Sequence, residues 1–286
     1  MAFTKIQEYI STDAGSAGTL LIPKLILPTM IAEAKKNLLD RSLAAKVLGP
    51  SNIPGSSVSI NLESPNTLDI REVGEGSEIA LDNLDYEAIT LTPKKYGVAI
   101  RITREMMEDS QFDLMTGQIA ATGRRFAENE TKLIIEALDG ANATTAGGAS
   151  ITIANVAESM FDVEDNDYIP TDMIVGNEVV QDLRQIDTFA EADKWGDKSS
   201  YNRTGWIGKF YGLNVHRFST NAAPSTTYSK YAYIFDRSEA YAIAIKRDIS
   251  VENFTLPSFD MEGAAVTQRI DVQLLRSKAV SKITTA

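Results

Sequence analysis

The single histidine, His216, and the complete absence of cysteine bound the chemistry this chain can do. Without cysteine there is no disulfide, no thiol nucleophile and no cysteine-bound zinc. One histidine cannot build a polyhistidine metal site, and it is the sole candidate base for a serine triad. It follows Val215 in a strand-like run, where a lone histidine reads as structural or surface, and no serine stands in a Gly-x-Ser-x-Gly elbow. Asp162, Glu164, Asp165 and Asp167 crowd together before Tyr168. Carboxylates at that density suit a hard cation, but the calcium-loop glycine and distal glutamate are missing, so a solvated acidic turn is the plainer reading. Gly205-Trp-Ile-Gly208-Lys209 lacks the spacing and hydroxyl of a phosphate loop, and Gly74-Glu-Gly76 does not open a helix as a dinucleotide fingerprint must. The expectation is no catalytic, metal-ligating or cofactor-binding residue, and no cofactor.

Charge is more informative. The 286 residues carry 39 Asp and Glu against 28 Lys and Arg, a net charge of −11. A chain this acidic does not coat nucleic acid in bulk; contact with it must come from a local patch. Residues 1–50 are locally basic, with six basic against four acidic side chains, and Lys35, Lys36, Arg41 and Lys46 fall close together. Residues 51–93 are the opposite: eight carboxylates, including Glu63, Asp69, Glu72, Glu75 and Glu78, against Arg71 alone. Such a stretch needs a basic surface to lie on. Lys94, Lys95, Arg101, Arg104, Arg124 and Arg125 supply one, although a solvated helix face explains some of them equally well.

The elements that must position these residues follow from periodicity. Residues 1–27 are glycine-punctuated and read as an extended arm; Pro28 and helical spacing predict a helix over 28–47, stopped by Gly49-Pro50. Residues 56–92 switch to a period of two, with Val58, Ile60 and Leu62, then Leu68, Ile70 and Val73, then Ile89 and Leu91. A two-stranded excursion this long is marginal alone and must rest on something else. Val98, Ile100 and Ile102 mark a strand; Phe112, Met115, Ile119, Phe126, Leu133 and Ala137 stripe a helix over about 111–138; residues 140–150 read as a linker. Helices at 153–164 and 179–186 and strands at 173–175, 215, 231–235, 241–245, 248–256 and 266–275 complete a mixed α/β half, with a polar loop at 221–229. No apolar run is long enough to cross a membrane and no secretory signal stands at the start, so the expectation is a soluble cytoplasmic product with no membrane partner.

The stretches Val73–Ile79, Leu91–Ser110, Pro170–Asn177, Asp182–Arg184, Gly212–Val215 and Phe235–Tyr241, in their order and spacing, give this sequence a resemblance to the HK97-fold major capsid proteins of tailed double-stranded DNA viruses. Val73-Gly-Glu-Gly-Ser-Glu-Ile79 is similar to the family's Glu-Gly segment in its extended loop. Leu91-Thr-Pro-Lys-Lys-Tyr-Gly-Val-Ala-Ile-Arg-Ile-Thr-Arg-Glu-Met-Met-Glu-Asp-Ser110 is similar to the strand that leads into the spine helix. Pro170-Thr-Asp-Met-Ile-Val-Gly-Asn177, Asp182-Leu-Arg184, Gly212-Leu-Asn-Val215 (with Asn214 for the family's proline) and Phe235-Asp-Arg-Ser-Glu-Ala-Tyr241 continue the likeness over nearly the whole chain.

The resemblance implies an α+β fold: an N-terminal arm and helix (1–50), an extended β-hairpin loop (51–95), a peripheral domain with a long spine helix (96–145), an axial α/β domain (146–244), a return to the peripheral domain (245–273) and a C-terminal segment near the axial one (274–286). It implies self-assembly into hexamers and pentamers of an icosahedral shell around double-stranded DNA, in a virion assembled in the host cytoplasm. Separate scaffolding and portal proteins, and decoration proteins, are the further partners it suggests. Some relatives cross-link a lysine of the loop to a neighbour; residues 47–93 hold no lysine, which excludes that chemistry at that site. The arm begins at Met1, so any scaffold is expected to be a separate protein. Two rivals stand beside this reading: an encapsulin-type compartment shell enclosing enzymes, and a soluble hydrolase using His216 or the carboxylate cluster. The capsid reading carries three expectations: the isolated chain is not a stable globule, the basic arm faces the lumen, and the acidic loop is held by basic residues of a neighbour.

Overall fold

Alternation of apolar and polar residues builds the longest strands, and their length decides the shape of one half of the molecule. The computed structural model describes residues 39, 41–63, 70–76, 78–79, 81–109, 114–186 and 206–285. In it β10 (Tyr241–Leu256) and β11 (Met261–Leu274) form an antiparallel hairpin, turned by Pro257–Phe259 and by Asp260 in the left-handed region. β4 (Lys94–Thr103) pairs antiparallel with the outer edge of β11, and the short β1 (Lys46–Leu48) pairs parallel with β10, giving the order β1-β10-β11-β4. Along β11, Ala264, Val266, Gln268, Ile270 and Val272 are buried while Ala265, Thr267, Arg269, Asp271 and Gln273 between and after them are not, the period of two that a one-faced sheet requires.

Helix α2 (Leu114–Leu138), preceded by α1 (Arg104–Asp109), covers that face. Its Ile119 and Phe126 pack on Val266, with Tyr96, Ile249 and Val251 beside them. Its C-terminal half, through Ile134, Ile135 and Leu138, enters a second core with Tyr241, Ile243, Ile270, Tyr233 and Phe235.

That core also belongs to a six-stranded sheet of order β5-β12-β9-β6-β8-β7. Its strands are β5 (Ala143–Ala146), β6 (Asp172–Val175), β7 (Trp206–Phe210), β8 (Leu213–Arg217), β9 (Tyr231–Phe235) and β12 (Val280–Thr284). In β9 the alternation is complete: Tyr233 and Phe235 face α2, while Ala232 and Ile234 face a core with Val156 of α3 (Ile153–Glu164) and Val179, Val180 and Leu183 of α4 (Asn177–Gln185). Thr152 caps α3 in a reciprocal capping box with Asn155. Both sheets therefore share one core through α2 and β10.

The excursion read from residues 56–92 is a hairpin of β2 (Val58–Glu63) and β3 (Tyr86–Leu91), in register from Val58 opposite Leu91 to Glu63 opposite Tyr86. Its root has a small core of its own: Ile60 and Leu91 are buried with Leu48, Ile53, Ala242, Ala244 and Leu275.

Several expectations give way. In place of the end of a helix over 28–47, residues 41–43 make one 3-10 turn and Lys46–Leu48 a strand; residues 28–38 lie outside the described residues. The edge of β10 decides this, because Ala242 to Ala244 offer main-chain groups that Lys46 to Leu48 satisfy, and Ala45 donates to the carbonyl of Tyr241. The linker expected at 140–150 contains β5, which pairs in parallel with Ser281–Thr284. The polar loop at 221–229 holds two short 3-10 turns. The helix expected from 111 is described from 114, and Phe112 lies outside the described residues. Of the spacing Leu68, Ile70 and Val73, Leu68 lies outside them, and Ile70 and Val73 belong to no ladder.

Candidate assembly surfaces and the root of the loop

Side chains and main chain of the body grip both strands of the extended loop where it leaves. The Lys246 ammonium donates to the carbonyl of Gly55, and Arg269 Nη2 donates to the carbonyl of Pro93 at 3.3 Å. The amide of Thr92 donates to Asp271 Oδ2 at 2.7 Å. Arg276 Nη2 donates to the carbonyl of Glu63 at 2.9 Å while its Nε donates to Glu239 Oε2, also at 2.9 Å. These contacts address main-chain atoms of the loop, so they fix its path irrespective of its side chains.

Beyond Glu63 and Tyr86 the loop carries apolar side chains into water. Ile70 is 98% exposed, Leu81 95% and Ile79 72%, and Val73 and Tyr86 are exposed as well. Exposed aliphatic side chains in such number are uncommon on the surface of a monomeric protein. Glu72, Glu75 and Glu78 stand among them, all exposed. Arg71 is paired with Asp82 of the same loop at 3.9 Å. Asp69 lies outside the described residues, and Glu63 sits at the root beside Arg276.

The basic set read from the sequence falls on β4, α1 and α2. Lys94, Lys95, Arg101, Arg104, Arg124 and Arg125 are all exposed. Within the chain, Arg104 meets Asp260 and Glu262, each at 3.3 Å, and Arg125 meets Glu128 at 2.8 Å. These two arginines thus pair with carboxylates outside the loop. Exposed pairs of this kind are worth about 0–1 kcal/mol and exchange readily for a better partner.

The arm residues separate. Lys35 and Lys36 lie outside the described residues, and Lys46 is exposed on β1. Arg41 is held within the chain: its guanidinium grips both oxygens of the buried Glu130 at 2.5 and 2.8 Å and reaches Asp248 at 3.3 Å. Gln268 donates to the same Glu130 at 3.2 Å. This network stitches the end of the arm to α2 and to the long hairpin, and an arginine so engaged is not free to meet another polyanion.

Two of the residues with candidate chemistry, His216 and Asp162, make hydrogen bonds inside the fold. His216 Nε2 donates to Asp172 Oδ1 at 3.2 Å inside the six-stranded sheet, and Thr171 and Asn214 donate to the same carboxylate at 2.9 and 3.3 Å. Burial would push the Asp172 carboxyl up; these donors, His216 first, hold it below the usual carboxylate range. Asp162 turns inward and accepts from Ser281 and Thr145 at 3.2 and 3.4 Å, away from the exposed Glu164, Asp165 and Asp167. Among the described residues no group of three or more acidic or histidine side chains is placed to hold a metal ion.

A further junction was not legible in the sequence. Asp139, just past the end of α2, accepts from Lys282 at 2.6 Å, Tyr228 at 3.0 Å and Tyr233 at 3.2 Å, and Lys282 lies 4.1 Å from the centre of the Tyr231 ring. Burial works against ionising Asp139, but the three donors prevail and its pKa is lowered. Burial and the same carboxylate push Tyr228 up to about 12.

A family profile described as phage capsid protein matches residues 86–281. No curated protein matches the chain. Among solved structures, one from Microbacterium phage Oxtober96 is similar with a TM-score of 0.64 at 17% identity, covering 87% of this chain and 92% of that one. One from Mycobacterium phage Adephagia gives 0.63 at 17% identity, covering 87% and 91%. The capsid of a native GTA particle gives 0.63 at 13% identity, covering 89% and 90%. At these identities the likeness is one of fold, the HK97-like capsid fold. With more than half of its length inside the family profile, the chain belongs to the phage capsid protein family and is a shell-forming structural protein of the virion.

Proposed function

We propose that copies of this chain close an icosahedral shell as hexamers and pentamers around double-stranded DNA, and that the extended loop of one copy lies across the body of the next. The observation that carries this is the loop beyond Glu63 and Tyr86: Ile70 and Leu81 are almost wholly, and Ile79 mostly, in water in the single chain. Burying three such side chains would contribute about 1.5–3 kcal/mol each, more than an exposed ion pair can. The carboxylates Glu63, Asp69, Glu72, Glu75 and Glu78 then form the rim, facing Lys94, Lys95, Arg101, Arg104, Arg124 and Arg125 of the neighbour and setting orientation.

The two sheets support a division into a peripheral part, built on β1, β10, β11, β4 and α2, and an axial part, built on the six-stranded sheet. Lys35, Lys36 and Lys46 are assigned to the lumen, where they meet packaged DNA through its phosphates without reading sequence; Arg41, engaged by Glu130, is left out of that set. Scaffolding, portal and decoration partners, and assembly in the host cytoplasm, belong to the same reading. Membership of the phage capsid family favours it over an enzyme-enclosing compartment.

Electron microscopy of the purified protein tests it. Closed particles or capsomer rings are expected; a compact monomer at every concentration would refute self-assembly.

A further inference from the structure

Arg276 stands where three parts of the chain meet. It lies in the short connection between β11 and β12, which joins the two sheets, and the main chain is anchored there, since the amides of Leu275 and Arg276 donate to the carbonyl of Ala240 at 2.8 and 3.4 Å. Its side chain reaches Glu239 in the turn between β9 and β10 on one side and the carbonyl of Glu63, the last residue of β2, on the other. Two clefts flank it. One of about 560 Å³ lies between Glu63, Tyr168, Ile169, Asp236 and Glu239; one of about 340 Å³ lies between Leu62, Ile89, Tyr168 and Leu274. The root of the loop therefore stands off from the six-stranded sheet across open space, and Arg276 spans the gap.

Contacts at Gly55, Thr92 and Pro93 hold the base of the loop, and we infer that Arg276, which grips it farther out at Glu63, sets the angle at which the extended loop leaves the body, and through that angle the curvature of the shell. This rests on the assembly reading above. The guanidinium is planar, so a carboxylate bound at Nε and a carbonyl bound at Nη2 are held at a fixed angle to one another; an ammonium imposes none. Space on both sides leaves the loop room to swing when that strut is lost. The lever is long: 22 residues separate Glu63 from Tyr86, so the tip can lie roughly 35 Å from the root, and a 10° change there moves it by about 6 Å. A displacement of that size takes Ile79 and Leu81 off one neighbouring site and onto another. A shell of one size reuses a narrow set of contact angles, so widening the loop's range lets shells of several sizes close.

The experiment uses the full chain, whose lack of cysteine allows labels at chosen sites. Spin labels at Glu75→Cys on the loop and Glu158→Cys on α3 report their separation by pulsed electron resonance. It is measured in unassembled chain and in particles diluted with unlabelled protein. Arg276→Ala and Arg276→Lys are expected to replace a single narrow separation with a broad one in the unassembled chain, and to give particles of several diameters. The unfolding midpoint should fall only modestly, because the groups left without a partner, the Glu239 carboxylate and the carbonyl of the exposed Glu63, are open to water. Glu239→Ala removes the other anchor and gives the same reading should Arg276→Ala fail to fold. A narrow, unchanged separation in these variants, or particles of one unchanged diameter, overturns the inference. Unmutated chain that never forms particles overturns the assembly reading instead, while the separation in the unassembled chain still decides the role of Arg276.

Discussion

Gly176 precedes α4 with an ordinary backbone conformation, yet a Cβ there would lie 2.2 Å from the carbonyl oxygen of Ser229. The main chain of Ser229 cannot retreat, because its hydroxyl is tied to Glu178 at 2.6 Å. Gly176→Ala is expected to cost about 3 kcal/mol or prevent folding, read as a drop in the denaturant midpoint. Gly117, on an open face of α2 with nothing within 4 Å, is the control: Gly117→Ala should stabilise by about 0.5–1 kcal/mol. Arg41→Ala would strand the buried Glu130 and should destabilise by about 3–5 kcal/mol in chemical unfolding, far more than loss of an exposed arginine. The carboxyls of Asp139 and Asp172 are both held below their unfolded value of about 3.9. The sign follows: their contribution is complete above that value and is lost as pH falls through the depressed folded values. Thermal midpoints should therefore be flat from neutral pH to about 5 and fall below about 4, and the fall should be shallower in Asp139→Asn/Asp172→Asn than in the unmutated protein.

Among the elements, the extended loop separates apolar from ionic contributions most cleanly. Ile79→Ser/Leu81→Ser removes aliphatic surface that lies mostly in water in the single chain, so the unfolding midpoint should hold while particle yield collapses. Arg124→Glu/Arg125→Glu reverses two exposed charges on α2. It should slow assembly and steepen its dependence on salt with a smaller loss of yield, because rim charges act on encounter and orientation more than on affinity. If the charge reversal abolishes particles while the serine variant assembles normally, the loop is held by ion pairs after all. Light scattering during assembly distinguishes the two.

At the scale of the whole molecule, one core shared by both sheets through α2 and β10 makes the body a single folding unit, while none of the described residues between Glu63 and Tyr86 belongs to it. Stability then has two components. Unfolding of dissociated chain should be cooperative and independent of concentration, whereas assembled chain should unfold at a midpoint that rises with protein concentration, since association stabilises only the folded state. Calorimetry on dissociated and assembled protein at several concentrations checks this; a midpoint blind to assembly would mean that the loop buries little in the shell.

The sequence by itself determined the local elements and the class of protein. Period two over Val58–Leu62, over Ile89 and Leu91 and over Val98–Ile102, and the helical stripe from Ile119 to Leu138, reflect side chains facing one way from a regular backbone, and that information is local. Missing cysteine and a single histidine narrowed the chemistry open to the chain in the same local manner. The tertiary structure alone decided which short segments become strands: Lys46–Leu48 and Ala143–Ala146 are extended because Ala242–Ala244 and Ser281–Thr284 offer them main-chain partners far along the chain. It alone decided the fate of charges, giving Arg41 to Glu130, Lys282 to Asp139 and Arg276 to the carbonyl of Glu63. No spacing announces such pairs, because a hydrogen bond needs proximity in space, and the fold creates that proximity only once its cores have closed.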